Sequence, residues 1–169
     1  MKIDKKLIIL GEPQSIFSEV LFKYFNSKKF LRNKKKIILI GSFNILLKQM
    51  KKLKFNFNLK LIKNVNESKK SELNILNINY NNKKIFGDIS SNSNKYITNC
   101  FKLGLKLALK EKSTILINGP VSKKHFLKKK YLGITEFISK KTKSKNEVML
   151  IYSEKLSVSP VTTHLPLKD

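Results

Sequence analysis

Short unbroken aliphatic runs alternate along this chain with longer stretches whose apolar residues recur every three or four positions. Residues 6–10 and 36–41 are of the first kind and read as buried strands, whereas 16–25 and 43–53 are of the second and read as amphipathic helices. Residues 57–62 predict a third strand. The polar stretch 64–82 holds one strand candidate, 73–78, with Asn81-Asn82 as a turn. From Ser93 a long helix is predicted through Lys110, its inner stripe formed by Tyr96, Cys100, Leu103 and Leu107. A strand comes next at 113–117 and leads into Asn118-Gly119-Pro120, where glycine permits a sharp turn and proline presets the start of a helix. Residues 135–143 predict another short helix, 147–152 a strand, and 157–163 a further strand that delivers His164 at its carboxyl end. Such alternation predicts an α/β sheet, and ligands collect at the carboxyl ends of its strands.

Composition changes this picture only a little. At 169 residues the chain is long enough to bury a sizeable core, and no apolar run reaches membrane-spanning length. The first ten residues are too short in apolar content for a signal peptide. One cysteine, Cys100, offers neither a disulfide nor metal-ligand spacing, which points to a reducing cytoplasm and to a core or semi-buried helix position for the thiol. The formal charge of +25 invites a nucleic-acid reading. Against it, only Arg32 among the 36 basic residues is arginine, the side chain that grips phosphate and guanine in a fork. The lysines are spread along the whole chain, and the runs Lys34-Lys35-Lys36 and Lys128-Lys129-Lys130 read as solvated helix ends or turns. An anionic small molecule is the partner such a surface attracts.

Local motifs carry modest information one at a time. Gly11-Glu12-Pro13 comes directly after the first strand and reads either as a tight turn or as backbone brought close to a ligand, and it is neither a P-loop nor a full dinucleotide fingerprint. Glu19 sits where it complements a helix dipole. Asn118 to Lys124 is a turn leading into a lysine-bearing helix, so Gly119, Pro120 and Lys123 are candidates for a phosphate or substrate loop. His125 reads as an ordinary exposed helix histidine. Thr135 reads as the N-cap of the next helix, with Glu136 in its first turn. His164 has no histidine or cysteine at short ligand spacing, and one imidazole does not make a metal site.

Order and spacing change those readings. Gly-Glu-Pro at 11–13, Asn-Gly-Pro-Val-Ser-Lys at 118–123, Gly-Ile-Thr-Glu-Phe at 133–137, Val-Met-Leu at 148–150 and Val-Thr-Thr-His-Leu-Pro-Leu-Lys-Asp at 161–169 occur in sequence. Together they resemble the 4-hydroxythreonine-4-phosphate dehydrogenases, the PdxA enzymes of pyridoxal phosphate synthesis, over almost the entire chain. The resemblance implies an α/β/α sandwich of the isocitrate and isopropylmalate dehydrogenase type. Residues 1–120 would belong to a first α/β domain and 121–169 would begin a second, the chain amounting to the N-terminal half of a two-domain fold. It further implies a homodimer, NAD as hydride acceptor, a divalent metal (zinc, magnesium or cobalt) on the substrate oxygens, and oxidation with decarboxylation of 4-phosphooxy-threonine. Thr135 would bind substrate, and His164 would be the first of three metal-binding histidines.

The departures are specific. Ile134 stands where the family has a substrate-binding histidine, and Asn118 where threonine is usual. Two glycines of the family's first loop are replaced by Ser15 and Phe17. The other two metal histidines, the substrate-binding lysine and arginine, and the nicotinamide-binding elements of the resemblance lie beyond the equivalent of Asp169, and no catalytic residue is assigned. Four readings therefore stand: a PdxA-like portion inactive by itself, a diverged dehydrogenase for another phosphorylated hydroxy acid, a non-catalytic partner subunit, and a basic nucleic-acid-binding module.

Overall fold

The computed structural model describes residues 4–31, 36–70, 72–82, 84–111, 113–128, 130–145, 147–162 and 168. Five parallel strands form one sheet: β1 (Lys5–Ile9), β2 (Lys36–Gly41), β3 (Leu59–Ile62), β4 (Leu73–Asn77) and β5 (Thr114–Asn118), in the spatial order β3-β4-β2-β1-β5. The helices are α1 (Phe17–Phe25), the single turn α2 (Lys28–Leu31), α3 (Phe43–Lys52), α4 (Asn94–Lys110) and α5 (Ile134–Thr142). The predicted α/β class is what forms. No helix among the described residues is long and apolar enough to cross a membrane.

Strand alternation divides the core into two layers. Ile8, Ile37, Leu39, Leu73 and Ile75 face one side, against Leu21, Phe22 and Phe25 of α1 and Leu46 of α3. Leu7, Ile9, Ile38, Ile40 and Leu76 face the other, against Tyr96, Ile97, Cys100 and Phe101 of α4. Burial on both faces explains why the central strands are unbroken aliphatic runs and not alternating ones. At about 25 cal/mol per Å², each fully buried Ile or Leu contributes roughly 1.5–3 kcal/mol before chain entropy is set against it.

Two features limit where strands can pair. Pairing of β3 begins at Leu59 and not at 57, because Phe55 and Phe57 are drawn to the end of α1, with ring centroids 5.5 and 6.0 Å from Phe22. In β4, Asn74 is fully buried, and its amide donates to the carbonyls of Ile37, Lys69 and Glu72 at 2.9–3.2 Å while its Oδ1 accepts from the Lys69 N–H. A polar residue thus replaces an aliphatic one where the β3–β4 connection needs anchoring.

Beyond β5 the expectations need correction. No regular helix starts at the Gly-Pro turn; Lys123–Leu127 forms one wide π-type turn, capped by the Ser122 side chain and stopped by Lys128 in the left-handed conformation. His125 within it is half-buried and not exposed. Aromatic packing holds this segment to the body, since Phe137 lies 5.2 Å from each of Phe101, Phe126 and Tyr131. The strands expected at 147–152 and 157–163 shrink to β6 (Ile151–Tyr152) and β7 (Ser157–Val158), which pair antiparallel in a separate ribbon. Residues 163–167 lie outside the described residues.

Cys100 is completely buried in the α4 layer, and that burial pushes its thiol up to about 12. The neighbouring Tyr96 phenol is raised well above its usual value, mainly by the same cause. Both groups are neutral in the fold and ionise more readily once unfolded, so the folded state binds more protons between the two sets of pKa values. The associated stability is present below pH ~9 and is lost as pH rises from there toward 12. The melting temperature should fall progressively above pH 9, with a shallower fall in Cys100→Ala. Ellman's reagent should leave the native thiol unmodified at pH 8 and titrate it fully in denaturant.

Candidate functional site

The adjacent strands β1 and β5 send the chain in opposite directions. After β1 it turns to α1 on one face, whereas Val121, Leu127 and Phe137, after β5, pack on the α4 face. Such a divergence opens a crevice at the carboxyl ends of a parallel sheet. Here the two loops are tied together: the Gly119 N–H donates to the Ile9 carbonyl at 2.7 Å and the Glu12 N–H to the Pro120 carbonyl at 2.8 Å. Gly11 adopts φ +70°, and a Cβ there would collide with the Pro120 carbonyl oxygen. A side chain on Gly119 would meet the Phe17 ring at 2.7 Å. The Gly-Glu-Pro motif is thus a close approach of backbone to backbone, between two loops.

Glu12 is buried beneath this junction. Its carboxylate accepts from the Ser93 hydroxyl at 2.8 Å and from the Gln14 N–H at 3.3 Å, which links the β1 loop to the start of α4. Gln49 of α3 donates to the Pro13 carbonyl at 2.7 Å, and the Tyr96 hydroxyl accepts from the Ser42 N–H at 3.1 Å. These contacts make the loop layer a braced platform.

On that platform opens a solvent-connected cleft of about 240 Å³, lined by Asn118, Ile134, Thr135, Ile138, Ser139, Thr142, Ser144 and Glu147. Two sequence motifs meet in it, for Asn118 ends β5 and Ile134 begins α5. Gly133, in extended conformation, is the N-cap, so Thr135 lies inside the first turn and is not the cap expected from sequence. A glycine has no side chain to satisfy the first amides of the helix, and their partial positive charge is directed out of its N-terminus. The Glu147 carboxyl is held below the usual carboxylate range, first by its own backbone N–H and then by the Ser139 hydroxyl. The single proton of that hydroxyl is shared between this carboxylate and the Ser144 carbonyl, 3.0 Å from the Ser139 oxygen.

Of the other sequence candidates, Gly119 and Pro120 form the braced tip beside Asn118, whereas Lys123 is exposed in the π-type turn and does not line the cleft. Glu19 is in the first turn of α1, as a dipole partner should be, and pairs with Lys23 at 2.7 Å. His164 lies outside the described residues. Sequence reasoning missed Ser139, Thr142, Ser144 and Glu147. Their signal was present in part, because Thr135, Ile138, Ser139 and Thr142 match the helical spacing of one face.

The family model for "Pyridoxal phosphate biosynthetic protein PdxA" matches residues 33–169. The chain belongs to the PdxA family. It is 32% identical over 167 residues to the 4-hydroxythreonine-4-phosphate dehydrogenase of Sulfurihydrogenibium sp., a match covering 98% of this chain and 51% of the relative. It is 30% identical over 172 residues to that of Aquifex aeolicus, covering 99% and 52%. Among solved structures, a putative 4-hydroxythreonine-4-phosphate dehydrogenase from Salmonella typhimurium superposes with TM-score 0.82 at 22% identity, covering 99% of this chain and 53% of that one. A 4-hydroxythreonine-4-phosphate dehydrogenase from Burkholderia phymatum gives 0.81 at 20%, covering 98% and 52%. These likenesses establish the fold, and the chain spans about half the length of the relatives it matches. Among the described residues no three His, Cys, Asp or Glu side chains converge as a metal centre would require, so no metal-dependent step is derived from them.

The loop junction makes a direct prediction. Gly11→Ala places a side chain in the left-handed region and against a carbonyl, for a loss of about 2–4 kcal/mol. In a chain of this size that corresponds to a melting temperature about 5–15 °C lower, measurable by circular dichroism.

Proposed function

We propose that this chain supplies one wall of the active site of an NAD-dependent 4-hydroxythreonine-4-phosphate dehydrogenase in pyridoxal phosphate synthesis, and that it is inactive by itself. One observation carries the reading: Asn118 and Thr135, from two separate family motifs, line a single cleft at an N-terminus with no side-chain cap. A phosphorylated, anionic ligand suits that end of a helix. Thr135 would hydrogen-bond a substrate oxygen, and Asn118, whose amide donates to the Gly119 carbonyl at 3.2 Å, would keep the tip of β5 in position beside it. NAD would accept the hydride in this family's reaction, and a divalent cation would stabilise charge on the substrate oxygens. The assignment of His164 to that cation rests on the sequence motif alone. A homodimer in the cytoplasm is the accompanying proposal for the complete enzyme. The division into domains at 1–120 and 121–169 is proposed on the same resemblance.

A second reading is favoured by one residue. Ile134 presents an aliphatic side chain to the cleft where the family resemblance places a histidine, so a ligand loses a hydrogen-bonding partner there. The same cleft would then select another phosphorylated hydroxy acid, one with an apolar group at that point. A nucleic-acid role receives no support from the cleft, which is lined by hydroxyls, an amide and a carboxylate and not by arginine.

NMR titration of the ¹⁵N-labelled chain with 4-phosphooxy-threonine tests both readings. The amides of Asn118, Thr135 and Ser139 should shift, Thr135→Val should weaken binding, and Ile134→His should tighten it by about tenfold, the effect of one hydrogen bond to a charged group. Shifts confined to scattered lysines would remove the site. With NAD and divalent metal added, the chain alone should form no NADH.

A further inference from the structure

Beneath the junction of the two loops lies a narrow cavity with room of about 20 Å³ for the centre of a water molecule. Its walls come from the β1 loop, the first turn of α1, α3 and α4, and no residue beyond β5 contributes to them. The cavity therefore belongs to the finished core of the five-stranded sheet. Glu12, Ser18, Ser42, Gln49 and Tyr96 are among the polar residues of its lining, each no more than 8% exposed. Ser15 and Phe17 also line it, and these stand where the family resemblance places glycines. Side chains thus build a part of the wall that glycine would leave open.

Two of the hydroxyls in this lining are already engaged. That of Ser15 donates to the Glu12 carbonyl at 2.7 Å and accepts from the Phe17 N–H at 3.3 Å. That of Ser42 donates to the Tyr80 carbonyl at 3.3 Å and accepts from the Ile45 N–H at 3.4 Å. Ser18 is the exception, for its hydroxyl oxygen is buried and has no hydrogen-bond partner among the described residues. A buried hydroxyl in that condition costs free energy, and one water beside it removes the cost. The room suffices, since a single water needs roughly 10–15 Å³ of it. Acceptors for the water's own hydrogens line the same cavity. A carboxylate offers about four acceptor positions, and on Glu12 the Gln14 N–H and the Ser93 hydroxyl take one on each oxygen. The Tyr96 hydroxyl accepts from the Ser42 N–H and keeps a second lone pair. A divalent cation fits poorly, because it calls for about six oxygens or more and the hydroxyls of Ser15 and Ser42 are spent elsewhere.

We propose that this cavity is a binding site for one structural water, held by the Ser18 hydroxyl as donor and by the Glu12 carboxylate and the Tyr96 hydroxyl as acceptors. The water ties the first turn of α1 to the brace that Glu12 carries from the β1 loop to α4. Three elements that leave the sheet in different directions are then joined at one point. None of these residues lines the cleft, so the water site stands or falls apart from the substrate reading.

Oxygen-17 magnetic relaxation dispersion on the whole chain and on its Ser18→Ala variant tests the proposal. The native chain should hold a water that stays longer than molecular tumbling takes, and the variant should hold one fewer. A crystal structure of the native chain should place that water within hydrogen-bond distance of Ser18 Oγ and of the Glu12 carboxylate. The sign of the stability change is a separate readout. Where water satisfies the hydroxyl, Ser18→Ala loses a hydrogen bond and melts about 2–4 °C lower. Where the hydroxyl is left unpaired in a dry cavity, removing it raises the melting temperature. The N–H groups of Glu12 and Gly119, which close the loop junction, should exchange on the order of fivefold faster in the variant. An unchanged number of long-lived waters, a higher melting temperature, or no density in the cavity overturns the proposal. So does a monovalent cation in place of the water, revealed by an anomalous peak in crystals grown with rubidium.

Discussion

The contact between two loops at the carboxyl ends of β1 and β5 is the constraint on which the rest depends. Strand β1 is paired on both sides and covered on both faces, so its position is set by the core, and the backbone leaving it must turn away at once without colliding with the neighbouring strand's exit. Gly11 and Gly119 make that exit sterically feasible, and the two backbone hydrogen bonds across them join the exits into one unit. Glu12 then carries the brace to the start of α4 through Ser93. Asn118 sits at the tip of this unit, so the cleft inherits its geometry from the junction that ties β5 to β1.

Much of this was legible in the residues, and the reason is two-sided burial. Strands covered on both faces must be continuous aliphatic runs, and β2 falls on the residues its run predicts. Long helices with an apolar stripe were equally plain, α4 above all. The parts that were not legible depend on partners distant in sequence. Phe57 looks like a strand residue until Phe22 draws it away, and Pro120 looks like a helix start until its carbonyl is taken by Glu12. The N-cap shifted from Thr135 to Gly133 for a local reason, since extended backbone at Gly133 lets the helix begin at Ile134 and moves Thr135 into the first turn. In the cleft, Thr135 and Asn118 were readable as motif residues, while Glu147 was not, because only the fold brings it beside α5.

The electrostatics of the cleft derive from its elements more than from the charge of the chain. The chain carries thirty-six basic residues, and the lining of the cleft contains none of them. Attraction of an anion would therefore come from two sources of different range: a diffuse lysine field that is screened by salt, and the uncapped amides of α5 that act only at contact. The first assists encounter and the second fixes position. Glu147 opposes both, and its ionised state gives the cleft one negative boundary.

Glu147 also connects the cleft to the ribbon. It lines the cleft beside Ser139 and Thr142, and the residue after it, Val148, begins the run of exposed apolar side chains. The backbone that positions this carboxylate is thus continuous with the least-covered segment of the fold. Local opening costs least where apolar contacts are fewest, and of the residues lining the cleft Asn118 and Thr135 are half-buried whereas Glu147 is exposed.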